Sequence, residues 1–310
     1  MTAEFFTTDT GLDFPKLSIG MPVYNGEKYI KLAIESLINQ TFRNFELIIS
    51  DNASTDQTQA ICNEFVLIDS RIKYLRHKTN IGAVANFEYV FNQSNGPFFM
   101  WAAADDVWSK DWIKSLYPLS VKEHCLAYGQ VQTIDDGGLQ TRNPVNKRKL
   151  QYHGSPFIRR FKYFVESDFY GKANPIYGIF PKSCIDQNFF ELLGLNVYGT
   201  DMLFLYHLLS RVSIRSTNTA TLFKRIHSNN AGDYKEKNKR IAAFKPFYIL
   251  ARVFYRPIAE LKVYRNVSSK LEISCYIFLL PLIIALRICN VFTYFTRLYV
   301  FQSKTAVIVP

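Results

Sequence analysis

Two adjacent carboxylates, Asp105 and Asp106, close a strongly apolar run that starts at Pro97 and passes through Phe98-Phe99-Met100-Trp101 and three alanines. Neighbouring carboxylates repel unless a cation or hydrogen-bond donors offset them. One offset is a hard divalent cation. Mg²⁺ takes one or two carboxylates and fills its shell with phosphate and water oxygens. The other is a helix N-terminus, because Asp106 and Ser109 precede Trp112-Ile113-Lys114-Ser115-Leu116 and acids suit a first turn. The pair alone leaves both readings open.

Further polar groups follow three other apolar runs. Pro22, Tyr24 and Asn25 lie at the end of the run from Leu17 to Val23 and just beyond it. Asp51, Asn52 and Ser54 follow Phe45–Ser50. Asn80 and Gly82 follow Ile72–Arg76. Between these runs, Tyr29, Ile30, Ala33, Ile34, Leu37 and Ile38 recur at i, i+3, i+4 spacing, which predicts a helix. Helices are also expected from about Thr55 to Val66 and from Gly82 through Val90. Strand starts recur about every 27 residues, the length of a strand–helix crossover, so a mostly parallel α/β sheet is expected. Ligands of such sheets bind outside the carboxyl ends of the strands. The four loops would there supply an aromatic wall, an acceptor for a base N–H, amide donors and a cation-binding pair. A nucleoside diphosphate needs that set. Taken singly, each group has a plainer explanation as a cap, a turn or a point of backbone freedom.

Beyond residue 112 the pattern loosens. Strands are expected at 126–134, 176–180 and 219–226, and helices at 156–165 and 200–210. The basic stretch 139–155 reads as a mobile loop. The expected organisation is a tail over 1–15, a half over 16–112 that bears the four loops, a more irregular half over 113–232, and a basic and apolar helical region over 233–310. In that last region, 273–286 is almost wholly apolar. It is short for a membrane span and suits a helix lying on an anionic bilayer, or one packed on the domain.

The chain has 310 residues and a formal charge of +11, which favours anionic partners. No motif supports nucleic acid among them. Five scattered cysteines form no CxxC pair and read as cytosolic thiols. The first residues do not read as a signal peptide. There is no G-x-G-x-x-G after the first strand, no P-loop, no G-x-S-x-G and no H-E-x-x-H.

Pro22-Val23-Tyr24-Asn25-Gly26-Glu27, Ala33-Ile34-Glu35-Ser36-Leu37, Glu46-Leu47-Ile48-Ile49-Ser50-Asp51-Asn52-Ala53-Ser54-Thr55-Asp56 and Asn80-Ile81-Gly82 occur in order. Together they resemble the family 2 glycosyltransferases of the GT-A fold, strongly over 16–112 and more weakly to about 230, which would make 16–112 the nucleotide-sugar-binding half and 113–232 the acceptor-binding and catalytic half. The resemblance implies an inverting, metal-dependent transfer of one sugar from a UDP- or dTDP-sugar to a saccharide or lipid-linked saccharide, in surface polysaccharide synthesis. Pro22 and Tyr24 would border the base and ribose, and Asp51 would accept from the base. Asn25, Asn52, Asn80 and Gly82 would complete the nucleotide site. Asp106 would ligate Mg²⁺ or Mn²⁺, with Asp105 toward ribose or metal. Asp201 would be the base. His227 would reach the metal or diphosphate, and Arg225 would offset leaving-group charge. Many members carry an acid where this chain has Ala103 or Ala104, so metal binding would rest on the pair. The processive Q-x-x-R-W signature is absent. The basic C-terminal half and apolar tail would hold the protein at the cytoplasmic face of the membrane. A binding module that keeps the fold without turnover is the alternative.

Overall fold

The computed structural model describes residues 15–167, 170–185, 189–190, 200–227, 261, 264 and 268–303, with backbone alone at 287 and 290–303. Strand β1 (Leu17–Val23) has nearly every residue buried, as befits a central parallel strand covered on both faces. It pairs in parallel with β2 (Phe45–Asp51) and β4 (Phe98–Trp101), and β2 pairs in parallel with β3 (Ile72–Arg76). A two-residue antiparallel strand, β7 (Phe180–Pro181), closes the edge beyond β4. Helices α1 (Ile30–Ile38), α2 (Thr58–Ile68) and α3 (Ala83–Asn92) connect the parallel strands. Their buried positions follow the apolar periodicity, with Ile30, Ala33, Ile34 and Leu37 inward on α1. Trp101 ties the layers together, its ring meeting Phe91 of α3, Phe99, Phe180 and Phe204.

A second sheet runs from β5 (Val107–Trp108) through β8 (Ile214–Arg225) to β6 (Leu126–Ile134). Strand β5 starts immediately after the acidic pair and is antiparallel to β8, with Val107 opposite Phe223. This register brings residues 105–106 against the end of β8. Helix α4 (Trp112–Glu123) covers β6 and β8 through Trp112, which meets Tyr128 edge-on. At Gly129 an added Cβ would sit 2.3 Å from the Trp112 ring and 2.5 Å from the Ala220 carbonyl oxygen. We expect Gly129→Ala to cost at least ~3 kcal/mol, because strand and ring cannot both yield. A urea midpoint within error of wild type would refute that.

Two expectations from the sequence change. Residues 174–177 form a 3-10 turn rather than the start of a strand, and extended pairing is confined to Ile179 and β7. Pro175 has no N–H for a ladder, and its carbonyl instead accepts from Gly178. The 139–155 stretch is irregular but tied down. Thr141 and Lys147 donate main-chain N–H to Thr133 and Val131, Asn146 Oδ1 accepts from Thr133 N–H, and Leu150 and Tyr152 are buried.

Helices α5 (Pro156–Val165) and α6 (Thr200–Leu208) pack with α7 (Lys270–Ser303). Ser155 caps α5 through its hydroxyl. Tyr276 of α7 stacks on Phe164 and hydrogen-bonds Tyr206, while Glu272 pairs with buried Arg160 at 3.3 Å. The opposite face of α7 leaves Leu271, Phe278 and Leu282 exposed, Phe278 by 84%. Among the described residues no helix is long and apolar enough to cross a membrane. The five cysteines form no disulfide, and Cys62, Cys125 and Cys184 are buried. Burial pushes their thiols up to about 12, 12 and 11 respectively.

Candidate functional site

The strand ends align as parallel pairing requires. Val23 stands opposite Asp51, and Asp51 opposite Arg76. Strand β4 stops lower, where Gly20 pairs with Trp101, so 102–106 run across the carboxyl edge. Small side chains permit this path, with Ala104 packing close beside Gly26.

The first two loops are bolted together. Asn25 N–H donates to Ser54 Oγ, Gly26 N–H to Thr58 Oγ1, and Glu27 N–H to Asp56 Oδ2, at 2.8–3.0 Å. In return Asn25 Oδ1 accepts from Thr55 N–H and Glu27 Oε2 from Gln57 N–H. Pro22 is half-buried beneath this lattice, and Tyr24 is 51% exposed on it. Tyr24 therefore offers a free aromatic face.

Asp51 is fully buried. It accepts from Ser54 N–H and Tyr74 Oη, and Arg76 Nε lies 3.6 Å away. The carboxylate has no exposed surface, so a base N–H would reach it only once the groups covering it shift. Asn52 is a latch. Its amide donates to Asn80 Oδ1 and the Gly82 carbonyl, and its Oδ1 accepts from Ile81 N–H. Gly82, at φ +88° with open space around a would-be Cβ, supplies the backbone freedom that the turn needs. Asn52→Ala removes the latch. We expect nucleotide affinity at this edge to fall five- to tenfold, worth about 1 kcal/mol. Calorimetric titration checks this, and an unchanged affinity would remove the latch from ligand binding.

Asp106 is almost fully buried, and its Oδ1 accepts from Arg225 N–H at 2.8 Å. Burial, and then the charge of Asp105, push its carboxyl up to about 7, with Lys224 and Arg225 acting in the opposite direction. Asp105 is 31% exposed at its side chain, and His227 Nε2 lies 3.0 Å from its Oδ2. Tyr29 stands beside His227 and donates to Asp136, joining α1 to the turn after β6. Among the described residues, no three acidic, His or Cys groups form a ready coordination set. The donor chemistry nevertheless fits a hard cation. A buried carboxylate raised by its neighbour is the group a cation would relieve, and two carboxylates leave room for phosphate oxygens.

Arg225 does not present its guanidinium as a diphosphate contact would require. It is 2% exposed. Its Nε donates to the Asp105 carbonyl, and its Nη1 donates to those of Asp135 and Asp136. The guanidinium also lies 4.5 Å over the Tyr29 ring. This is a clamp that shapes the acidic loop.

Asp201 opens α6, half-buried, with Oδ1 accepting from Met202 N–H. Burial and the charges of Asp106, Asp105 and Asp201 together raise the Tyr177 hydroxyl well above its ordinary range. Sequence reasoning did not single out Tyr177. Its signal was the glycine-flanked stretch 171–178, which reads equally as a turn. Lys224 was missed as well. Its Nζ donates to Asn174 Oδ1 at 2.8 Å and lies 5.5 Å from the Tyr177 ring centroid.

A mostly parallel sheet carrying these loops and an acidic crossing on its carboxyl edge defines a GT-A-type α/β fold. The match narrows this: the chain belongs to glycosyl transferase family 2, whose model covers residues 18–177. It is 30% identical over 142 residues to an uncharacterized glycosyltransferase of Haemophilus influenzae, covering 46% of this chain and 57% of that protein. It is 33% identical over 102 residues to glycosyltransferase GlyA of Streptococcus pneumoniae, covering 33% and 14%. The chain thus spans little more than half of the first relative and a small part of the second. The crystal structure of S. aureus TarS 1-349 superposes with a TM-score of 0.54 at 18% identity, covering 93% of this chain and 92% of that one. The same TarS fragment in complex with UDP-GlcNAc gives 0.52 at 20% identity over 69% and 60%. At these identities the likeness concerns the fold.

Proposed function

We propose that this chain transfers a single glycosyl unit, with inversion, from a nucleoside-diphosphate sugar to a saccharide or lipid-linked saccharide, in building a surface polysaccharide. The observation that carries this reading is the acidic pair on the carboxyl edge of the sheet, with Asp106 buried against the main chain of β8, beside the interlocked loops that bear Tyr24, Asp51 and Asn52. A donor held on the first three loops would meet the acidic pair with its diphosphate and Asp201 with its sugar. The solved complexes of TarS with UDP-GlcNAc and UDP favour a uridine donor over the dTDP alternative.

In the reaction the acceptor oxygen forms the new bond to the anomeric carbon. Its proton passes to the Asp201 carboxylate. The bond between anomeric carbon and β-phosphate oxygen breaks, and that oxygen keeps the electron pair. Asp106, with Asp105 and His227, would hold Mg²⁺ or Mn²⁺, which supplies positive charge against the departing diphosphate. Asp51 accepts from the base and Tyr24 stacks along it. The exposed apolar face of α7 and the +11 charge support contact with the cytoplasmic face of an anionic membrane.

The test is a panel of nucleotide sugars with Mn²⁺ or Mg²⁺ and then EDTA, following nucleoside diphosphate release. Metal-dependent release from one donor, raised by membrane lipid extract, is expected. Absence of binding to every donor, with or without metal, would overturn the reading in favour of a fold without turnover.

A further inference from the structure

We propose that Lys224, and not Arg225, is the side chain that contacts the leaving diphosphate. The inference rests on the donor-site reading above and assigns a residue within it. Adjacent residues of a strand point to opposite faces, so Lys224 and Arg225 of β8 cannot both serve one cleft. Arg225 turns toward the main chain of Asp105, Asp135 and Asp136 and the Tyr29 ring, where carbonyl oxygens take its donors. Lys224 turns toward Asn174 and Tyr177.

Three features suit Lys224 to a phosphate. It is only half-buried, whereas Arg225 is sealed. Its ammonium has three donors, and Asn174 Oδ1 accepts one, which leaves two for an anion. Its position is fixed, because Asn174 is buried and the Tyr177 ring flanks the ammonium. Lys224 lies between Phe223, which stands opposite Val107, and Arg225, whose N–H bonds Asp106 Oδ1, so strand pairing sets it beside the acidic pair. An anion placed between them would have a cationic group on one side. On the other side would be the acidic pair with whatever cation it holds. When the glycosyl bond breaks, negative charge grows on the β-phosphate, and a fixed ammonium there strengthens with it.

The experiment is calorimetric titration with UDP, uridine, dTDP and thymidine, in the presence of Mn²⁺. Wild type, Lys224→Met, Lys224→Gln and Lys224→Arg would be compared, with thermal melts run alongside. The diphosphate is expected to bind Lys224→Met and Lys224→Gln at least ~10-fold more weakly, and the matching nucleoside within about twofold of wild type. Lys224→Arg is expected to recover most of the loss. Should Lys224→Met fold poorly, Lys224→Gln keeps the comparison. Unchanged diphosphate affinity in a folded variant, or equal loss of nucleoside and diphosphate, would overturn the assignment. Wild-type protein that binds none of these ligands would overturn the donor-site reading itself, a result distinguishable from the first.

Discussion

Asp106→Asn is expected to lower turnover by two to three orders of magnitude and, in metal-free protein above pH 7, to raise the melting temperature. The two effects share one cause. The folded chain holds the Asp106 proton until about pH 7, whereas an unfolded chain releases it near the ordinary value of 3.8. Between those values the folded state binds more protons than the unfolded state. Stability therefore falls as pH rises from about 4 to 7, and the penalty is complete above 7. Its size is on the order of a few kcal/mol. Asparagine keeps an acceptor for Arg225 N–H and removes the charge. Between pH 5 and pH 8 in EDTA the wild type should lose more stability than the variant. Mn²⁺ should recover the wild-type loss and leave the variant unmoved. A variant less stable at pH 8 than wild type, or one that keeps its turnover, would remove Asp106 from the site.

Asp201→Asn should reduce kcat by about 10²–10⁴-fold while nucleotide affinity stays within a factor of two, as for loss of a general base. Its carboxylate accepts from the N–H of the next residue at the start of α6, so an amide at the same place can keep that bond. The deciding measurement pairs donor titration with single-turnover transfer. Equal falls in affinity and rate would make Asp201 a donor-binding group. Full rate in the variant would pass the proton to another residue.

The first sheet was legible because its inner strands β1, β2 and β4 are buried on both faces and read as continuous apolar runs. Asn25-Gly26, Asp51-Asn52 and Asn80-Gly82 mark where the chain leaves them. Bringing residues 105 and 225 together was less legible. That contact depends on a two-residue strand, β5, whose Val107 pairs with Phe223 across more than a hundred residues. The roles of Lys224 and Arg225 depend on strand phase. Composition sees two cations, while the fold turns one under the acidic loop and the other toward Tyr177. Tyr177 itself lies in a 3-10 turn that no apolar period announces.

Three thiols lie beneath separate parts of this architecture. Cys62 is on α2 under the loop bearing Asp51, Cys125 leads into β6, and Cys184 follows the edge strand β7. All three are shielded and weakly acidic. Each can react with a maleimide only when its own neighbourhood opens. The chain therefore carries built-in clocks for local opening. Labelling each site over time, with and without nucleotide, would resolve whether ligand quiets the donor half alone or the second sheet as well.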